Sequence, residues 1–518
     1  MEWNIGKIAT KRAILTPDKP AIIFEDQPYT YKQMNDGSNR VAAFLKEKGI
    51  KKGDRISVLL LNCPEFFEVY FAAAKLGVIF IPLNFRLVGP ELEYQINNCG
   101  SRLLLFHDSL IKNFDSIRSK VVVENDKYIY LKSGLSDCPD CPDWAVEYHQ
   151  TMDSYCADEI IPDEEVEFDD PLAIIFTSGV TGDPKGALLS HQQTYFKNFQ
   201  IMEYMDMRED DIYLCQLPSF HSGGLFVAAT PSFCRGATLL LRKSFNPEIF
   251  TRDIEKYKVT IMLVLTTMWR LILKTGELDN ISTKSVRVAM GGGERTPLSL
   301  LDDLAKRGIF LRLGFGQTEN SAMMMVPKEA VTLKKGSIGV PGFYTQVWIA
   351  DNDGKELPPN EIGEIVAKGP TVMSGYWNMP EKTAEAIVNG ILFTGDLGYR
   401  DEDGFFYIVD RSKDMYRSGG ENVYPAEVEK VLAGHPKIDN VSIIGVADDK
   451  WGESGKAIIV LNDDETLTQE EVNQYLKGKV ARYKFPGSLE FIKELPLTGS
   501  GKIKKAFLKQ HFGGVKLS

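Results

Sequence analysis

The pattern of apolar and polar positions changes period several times along the chain, and each change marks an element. Thr30 and Gln33 have the spacing of a capping box and open an amphipathic stretch ending at Gly49, which predicts a helix. Residues 56–61, apolar except for Ser57, have the pattern of a strand buried on both faces. Pro64 then stands where the first turn of a helix tolerates proline, and Gly77 stops that helix. Residues 78–83, and 102–106 with Arg102 leading an apolar run, predict two more strands. Helix and strand signals in alternation imply parallel βαβ units.

Residues 172–189 break this rhythm. Apolar residues 172–176 drive into a turn carrying Thr177, Ser178, Gly179, Thr181, Gly182, Lys185 and Gly186; residues 187–189 read as a second strand. Ser190 and Gln193 then cap a helix. Glycines let a backbone approach a ligand, and clustered N–H groups with hydroxyls and one lysine suit phosphate oxygens. A Walker loop does not fit, because Pro184 precedes the lysine and Gly186 follows it. On this stretch alone, a plain surface turn stays open beside a phosphate grip.

Further along, residues 133–170 are rich in Cys, Pro, Asp and Glu and read as a surface excursion. Residues 336–410 carry short strand signals between Asp/Asn/Gly turns, which predicts a β-rich subdomain. The charged segment 410–414 marks a boundary. Beyond it, a helix near 427–433, strands at 441–446 and 457–461, and a helix capped by Thr468 and Glu471 predict a compact α+β unit. The expected fold is therefore α/β. A large multi-sheet N-terminal domain, 1–412, holds the βα repeats and the β-rich part, and a small mobile α+β domain, 413–518, follows with its hinge near Lys413.

Polar interruptions in apolar context supply the candidate chemistry. His221 precedes Gly223; Gly291, Gly292, Gly293 and Glu294 leave room for a flat ligand; Phe315 sits between Gly314 and Gly316, followed by Thr318 and Glu319; Asp396 lies in a Thr-Gly-Asp turn; Lys502 lies on a Gly-Ser-Gly loop. Each has an ordinary loop or turn explanation when taken singly.

Composition narrows the classes. The chain has 518 residues, 43% of them hydrophobic and 25% charged, which suits a globular protein of more than one domain. A net charge of −11 with no dense basic block argues against nucleic-acid binding. Seven cysteines do not suggest a disulfide framework, and Cys138 with Cys141 has no second pair to complete a zinc site. No apolar run is long enough to span a bilayer, no signal-peptide pattern opens the chain, and the tail VKLS is not a peroxisomal ending. The expectation is a cytoplasmic protein without a transmembrane segment, for which peripheral membrane contact and a homodimer stay open.

Taken in order, these segments resemble the adenylate-forming superfamily, in its acyl-CoA synthetase branch. TSGVTGDPKG at 177–186 matches that family's phosphate loop except at Val180; FGQTE at 315–319, TGD at 394–396, DRSK at 410–413 and the PLTGSGK ending at Lys502 match its other motifs. Asp410 departs from a usual glycine, and Ile391 from a frequent tryptophan. The resemblance implies an ATP-dependent ligase that makes an acyl-adenylate and then an acyl-CoA, using ATP, Mg²⁺ and coenzyme A. It implies Lys502 as catalytic lysine, with Glu319 on the metal and Thr318 and His221 in the catalytic group. Thr177, Ser178, Gly179, Thr181, Gly182, Lys185, Gly292, Gly293, Glu294, Phe315, Gly316, Asp396, Arg411 and Lys413 would serve the nucleotide. Ser418, Gly419 and Gly420 would line a pantetheine tunnel. His221, Gly223, Met268, Gly291, Gly314 and Met323 would wall an acyl pocket, with a medium- or long-chain fatty acid expected and a cyclic or aromatic carboxylate close behind. The alternatives are a stand-alone adenylation enzyme that loads an acyl carrier protein, a luciferase-like oxygenase, and a non-catalytic AMP-binding regulatory protein.

Overall fold

The structure, a computed structural model, describes residues 3–177, 184–293, 296, 298–321, 323–351, 353–411, 415–496, 503 and 505–513. Four sheets run through these residues. In the first, the strands Arg55–Leu59, Ile79–Pro82 and Leu103–His107 pair in parallel. Their apolar runs are buried on both faces because helices cover the sheet. One of these, Tyr31–Glu47, begins at the Thr30–Gln33 capping box; another, Pro64–Leu76, ends at Gly77, whose φ of 68° favours glycine. Pro171–Thr177 joins in parallel beside Ile79–Pro82, and Lys185–Ser190 returns antiparallel to it. The expected strand–loop–strand arrangement is thus present in its two strands. Ser178, Gly179, Thr181 and Gly182 lie outside the described residues.

The second sheet carries the parallel strands Ile212–Cys215, Thr238–Leu241, Ile261–Leu263, Val288–Gly292 and Leu311–Phe315, and it shares one large core with the first. A third, antiparallel sheet holds Gln346–Ala350, Gly363–Lys368, Ile391–Arg400 and Phe406–Arg411, the β-rich part expected from the turn pattern. The fourth is built on Ile438–Asp448 and Gly452–Leu461, with the helices Pro425–Leu432 and Gln469–Leu476 closing a core of its own. The Thr468–Glu471 capping box forms, and Leu467 and Val472 pack in that core.

The segment 133–170 differs from a simple surface excursion. Val146–Glu147 extends the first sheet, and the helix Tyr148–Met152 sends Tyr148 inward to the buried Glu68. Its Pro and Asp content masks two residues, Tyr148 and Met152, that are almost wholly buried. Among the described residues no helix is long and apolar enough to cross a membrane.

Candidate active site

Parallel sheets leave a crevice beyond the carboxyl ends of their strands, and ligands collect there. Here the ends of strands from the first two sheets open into one cavity of about 1070 Å³, which the third and fourth sheets close. Its lining gathers Thr177, Lys185, His221, Gly223, Met268, Gly292, Gly293, Gly314, Phe315, Gly316, Thr318, Glu319, Asp396, Gly419 and Gly420. Segments hundreds of residues apart in sequence are therefore neighbours.

The floor is made by paired glycines. Gly292 and Gly314 face each other on adjacent parallel strands, and a Cβ on Gly292 would lie 2.5 Å from the Gly314 carbonyl oxygen. Only a bare backbone leaves this flat slot. Beside it, Gln317 donates from Nε2 to Asp396 Oδ2 at 2.7 Å and to the Thr394 carbonyl at 2.8 Å. This holds the nearly buried Asp396 carboxylate at a fixed angle on the third sheet. Glu319 lies along the same wall, where its Oε1 accepts a 2.9 Å bond from the Tyr376 hydroxyl. The Tyr376 ring also carries the Lys185 ammonium 4.8 Å from its centre. Burial, with Glu319 adding to it, raises the Tyr376 hydroxyl well above its usual pKa, so it stays a donor.

His221 ends a tight turn on Pro218 and opens the wide helix Gly223–Ala229. Such π turns concentrate at functional sites. Burial lowers the His221 pKa, so the ring is a neutral imidazole at physiological pH. Behind this helix sits Lys197, fully buried with its ammonium 5.9 Å from the Phe226 ring centre. Burial lowers its pKa to about 7, while the Glu319 carboxylate pulls it upward.

The small lobe turns one face to the cavity. Gly419 and Gly420 have φ of 59° and 86°, and a Cβ on Gly420 would meet Leu265 Cδ1 at 2.7 Å. Contacts among the described residues hold this orientation. Arg86 pairs with Glu421 at 2.6 Å, Lys484 pairs at 2.6 Å with both Glu91 of the large lobe and Glu427 of its own, and Ala481 is buried in a large-lobe cluster.

Three expected wall residues do not reach the cavity. Gly291 faces the opposite side of its strand, towards Leu311, because side chains alternate and Met290 and Gly292 take the open face. Met323 packs in a separate core with Ile349 and Phe406, and Ser321 lines the cavity in its place. Ser418 pairs with Gly452 in the fourth sheet rather than lining the tunnel. Glu294, Lys413 and Lys502 lie outside the described residues, as does the Arg411 side chain, although the Arg411 backbone pairs with Asp396. Tyr376, Gln317, Arg417 and Trp451 were not singled out from sequence. Gln317 had a signal, its place inside FGQTE; Trp451, an exposed tryptophan after an acidic turn, had a faint one; Tyr376 and Arg417 had none.

Among the described residues no group of three His, Cys, Asp or Glu side chains is arranged to hold a metal ion by itself. The donor set at Glu319 is one carboxylate, oriented by Tyr376, on the cavity wall with Thr318 and Lys185. That suits Mg²⁺, which takes one or two protein carboxylates and completes its shell with substrate phosphates and water.

The comparisons agree with this geometry. Residues 10–377 match the model of the AMP-binding enzyme family, and residues 427–502 match that of the AMP-binding enzyme C-terminal domain. A feruloyl-CoA synthase from Amycolatopsis sp is 35% identical over 511 residues, covering 98% of this chain and 99% of that protein. The o-succinylbenzoate CoA synthetase of Bacillus subtilis, as a double mutant bound with the product analogue OSB-NCoA, superposes with a TM-score of 0.86 at 32% identity, covering 97% of both chains. The same enzyme in complex with the acyl-adenylate OSB-AMP gives a TM-score of 0.70 at 32% identity over 98% of this chain and 99% of the other. With both lobes matched and the cleft between them built on the family's motifs, this chain belongs to the AMP-binding enzyme family and is an AMP-forming acid–CoA ligase that uses ATP, Mg²⁺ and coenzyme A.

Proposed function

We propose that the acid is a ring-bearing carboxylate, aromatic or cyclic, in preference to an unsubstituted long-chain fatty acid. The observation that carries this is the flat floor of Gly292 and Gly314, set beside the apolar Met268, Met290 and Leu265. A planar group fills such a slot with little loss of conformational freedom. The feruloyl-CoA synthase among the relatives supports the same reading.

In this proposal Thr177, Lys185 and Thr318 hold phosphate oxygens, Phe315 covers adenine, and Asp396 accepts the ribose hydroxyls. The acid's carboxylate attacks the α-phosphorus, an oxygen–phosphorus bond forms, and pyrophosphate leaves with the electron pair. An anion approaching a polyanion is held back chiefly by charge, so fixed positive groups dominate the barrier. Magnesium at Glu319, when bound, supplies part of that neutralisation. Lys185 contributes to it, and Lys502 is assigned the bridge between carboxylate and α-phosphate. The thiol of coenzyme A then attacks the acyl carbon, and AMP departs. Gly419 and Gly420 leave the opening through which the pantetheine arm enters, and His221, neutral and on the cavity wall, is placed to orient the reacting groups. We assign the two lobes to residues 1–412 and 413–518, with Lys413 at the hinge. The higher TM-score to the complex with the CoA product analogue supports reading the present lobe arrangement as the one for thioester formation.

The test is release of AMP in the presence of coenzyme A over a panel of acids. Cinnamate and cyclohexanecarboxylate derivatives are expected to exceed decanoate and palmitate at least tenfold in kcat/KM; the reverse order overturns the proposal. Lys502→Ala is expected to suppress adenylate formation while sparing thioester synthesis from supplied acyl-adenylate. Equal loss of both steps would overturn the role assigned to that lysine.

A further inference from the structure

The cavity runs along the carboxyl ends of two sheets, and the strand order of each shows where it stops. In the second sheet Leu311–Phe315, Val288–Gly292, Ile261–Leu263, Ile212–Cys215 and Thr238–Leu241 are successive neighbours. Lys243 follows the last of them, four strand spacings from Phe315. In the first sheet Pro171–Thr177, Ile79–Pro82, Arg55–Leu59, Leu103–His107 and Tyr128–Leu131 are successive neighbours too. Ser133 follows the last of these, four spacings from Thr177. Neighbouring strands lie about 4.8 Å apart, so each sheet separates its two ends by about 19 Å. The far ends meet, because the Lys243 ammonium donates to the Ser133 carbonyl at 2.6 Å, and Lys243 lines the cavity there. Between Phe315 and this contact the lining includes Leu61, Leu217, Phe245, Leu263 and Met268. Lys243 is half-buried, and its ammonium has two N–H groups besides the one given to Ser133. The nearby carboxylates are engaged elsewhere: Glu25 accepts the Lys243 backbone N–H at 2.9 Å, and Glu25, Asp26 and Asp253 all pair with Arg242. Among the described residues the ammonium thus has a carbonyl partner and no carboxylate. A cation closing an apolar channel gains most from an anion, since charge-assisted bonds are the strong ones.

We propose that Lys243 is a specificity-determining residue that pairs with a second carboxylate at the far end of the acid, so that the enzyme activates one end of a dicarboxylic acid. This deepens the reading of the cavity as an acyl pocket beside the nucleotide and rests on that reading, but not on the acid's having a ring. One carboxylate lies at the reaction centre near Thr318 and His221, and the body of the acid crosses the apolar lining. The other carboxylate accepts from the Lys243 ammonium. An acid with an uncharged far end leaves that ammonium with Ser133 alone. Sites built to bond a charged or polar substrate group discriminate strongly against the analogue without it.

The experiment compares kcat/KM within pairs that differ only in the charge of the far group, a diacid and its monomethyl ester. One pair is built on 4-carboxycinnamate and the other on decanedioate. The wild-type enzyme is expected to favour the diacid of a pair by about ten- to hundredfold. In Lys243→Met that ratio is expected to fall to one or below, because the far carboxylate then meets an apolar end. Lys243→Arg keeps the charge and a donor for Ser133, and is expected to keep the preference. Lys243→Glu is expected to reject the diacids and to gain turnover of 10-aminodecanoate, whose ammonium pairs with the new carboxylate. Loss of a merely structural contact would not exchange one charge preference for the other. Melting temperatures report damage to the fold, and should Lys243→Met not fold, the contrast between the Arg and Glu variants decides. A wild-type ratio of one or below, or a ratio that neither Lys243→Met nor Lys243→Glu moves, overturns the proposal. Turnover confined to the aliphatic pair would sink the ring-bearing substrate instead, and the decanedioate pair would still decide the role of Lys243.

Discussion

A carboxyl group without bulk water must find strong partners or hold its proton. Glu68, on the helix Pro64–Leu76, is the clearest case outside the cavity. It takes the hydroxyls of Tyr29 and Tyr148, and burial, with Glu65 nearby, raises its pKa from 4.5 to about 7. The folded protein therefore binds one more proton than the unfolded chain between these two values. The stability this gives is complete below the lower value and is lost as pH rises through the upper one. The loss is worth roughly 3 kcal/mol at full titration. His149, raised chiefly by its bond to Glu65 and to a smaller extent by the Glu68 charge, acts in the same direction, and its bond to Glu65 remains when Glu68 is changed. Glu68→Gln should therefore shrink, without abolishing, the fall in melting temperature between pH 5 and pH 8. Equal falls in variant and wild type would show that Glu68 does not hold the proton. At the cavity a single residue type matters in the same way: Tyr376 stays protonated, so it can direct Glu319 across the whole working range.

At the scale of elements, the loop that joins Tyr416–Ser418 to Glu421–Val423 shows how local backbone chemistry sets a boundary condition for the reaction. Its two glycines have positive φ, which residues with a Cβ adopt at a cost of about 1 kcal/mol or more. Gly420 also abuts Leu265, so a larger side chain must push that leucine into the cavity. Gly420→Leu should slow thioester formation from supplied acyl-adenylate at least tenfold while leaving pyrophosphate exchange within about twofold. Intact transfer to coenzyme A would move the thiol path elsewhere. The elements themselves were largely legible. Capping boxes at Thr30, Ser190 and Thr468, with Gly77 as a stop, marked helix ends through short-range hydrogen bonding that depends on few neighbours. What escaped were orientations and distant partners. Gly291 and Gly292 look alike in sequence, yet the pleat sends one to the cavity and the other to Leu311. Met323 follows a recognisable motif but is claimed by the core beneath the third sheet. Tyr376 acquires its place at the cavity through Glu319, 57 positions away, which no local pattern encodes.

For the whole molecule, the deciding question is how two lobes with separate cores are held in one orientation. Lys484 answers it with charge. Its ammonium lies between Glu91 of the large lobe and Glu427 of the small one, all three nearly buried. One cation cannot neutralise two carboxylates, and burial accordingly raises Glu427 even against the pull of Lys484. Such a cluster is expensive to bury and gains most from being complete, so it acts as a registry device: it favours the one arrangement in which both lobes contribute. Arg86 with Glu421 adds a second, more exposed tie, worth less because solvent screens it. If this arrangement serves the thiol step, weakening the buried tie should slow that step and spare the other. Glu91→Gln removes the large lobe's charge while leaving Lys484 paired with Glu427, so no lone buried ion is created. It should lower the rate of thioester formation from supplied acyl-adenylate about three- to tenfold, with pyrophosphate exchange unchanged or slightly faster, since the competing arrangement becomes more populated. Lys484→Met should act in the same sense but with an added cost in stability, because two carboxylates then face each other at the lobe boundary. Were both half-reactions to fall together in Glu91→Gln, with no change in melting temperature, Glu91 would be acting on the shared site rather than on the balance between lobe positions.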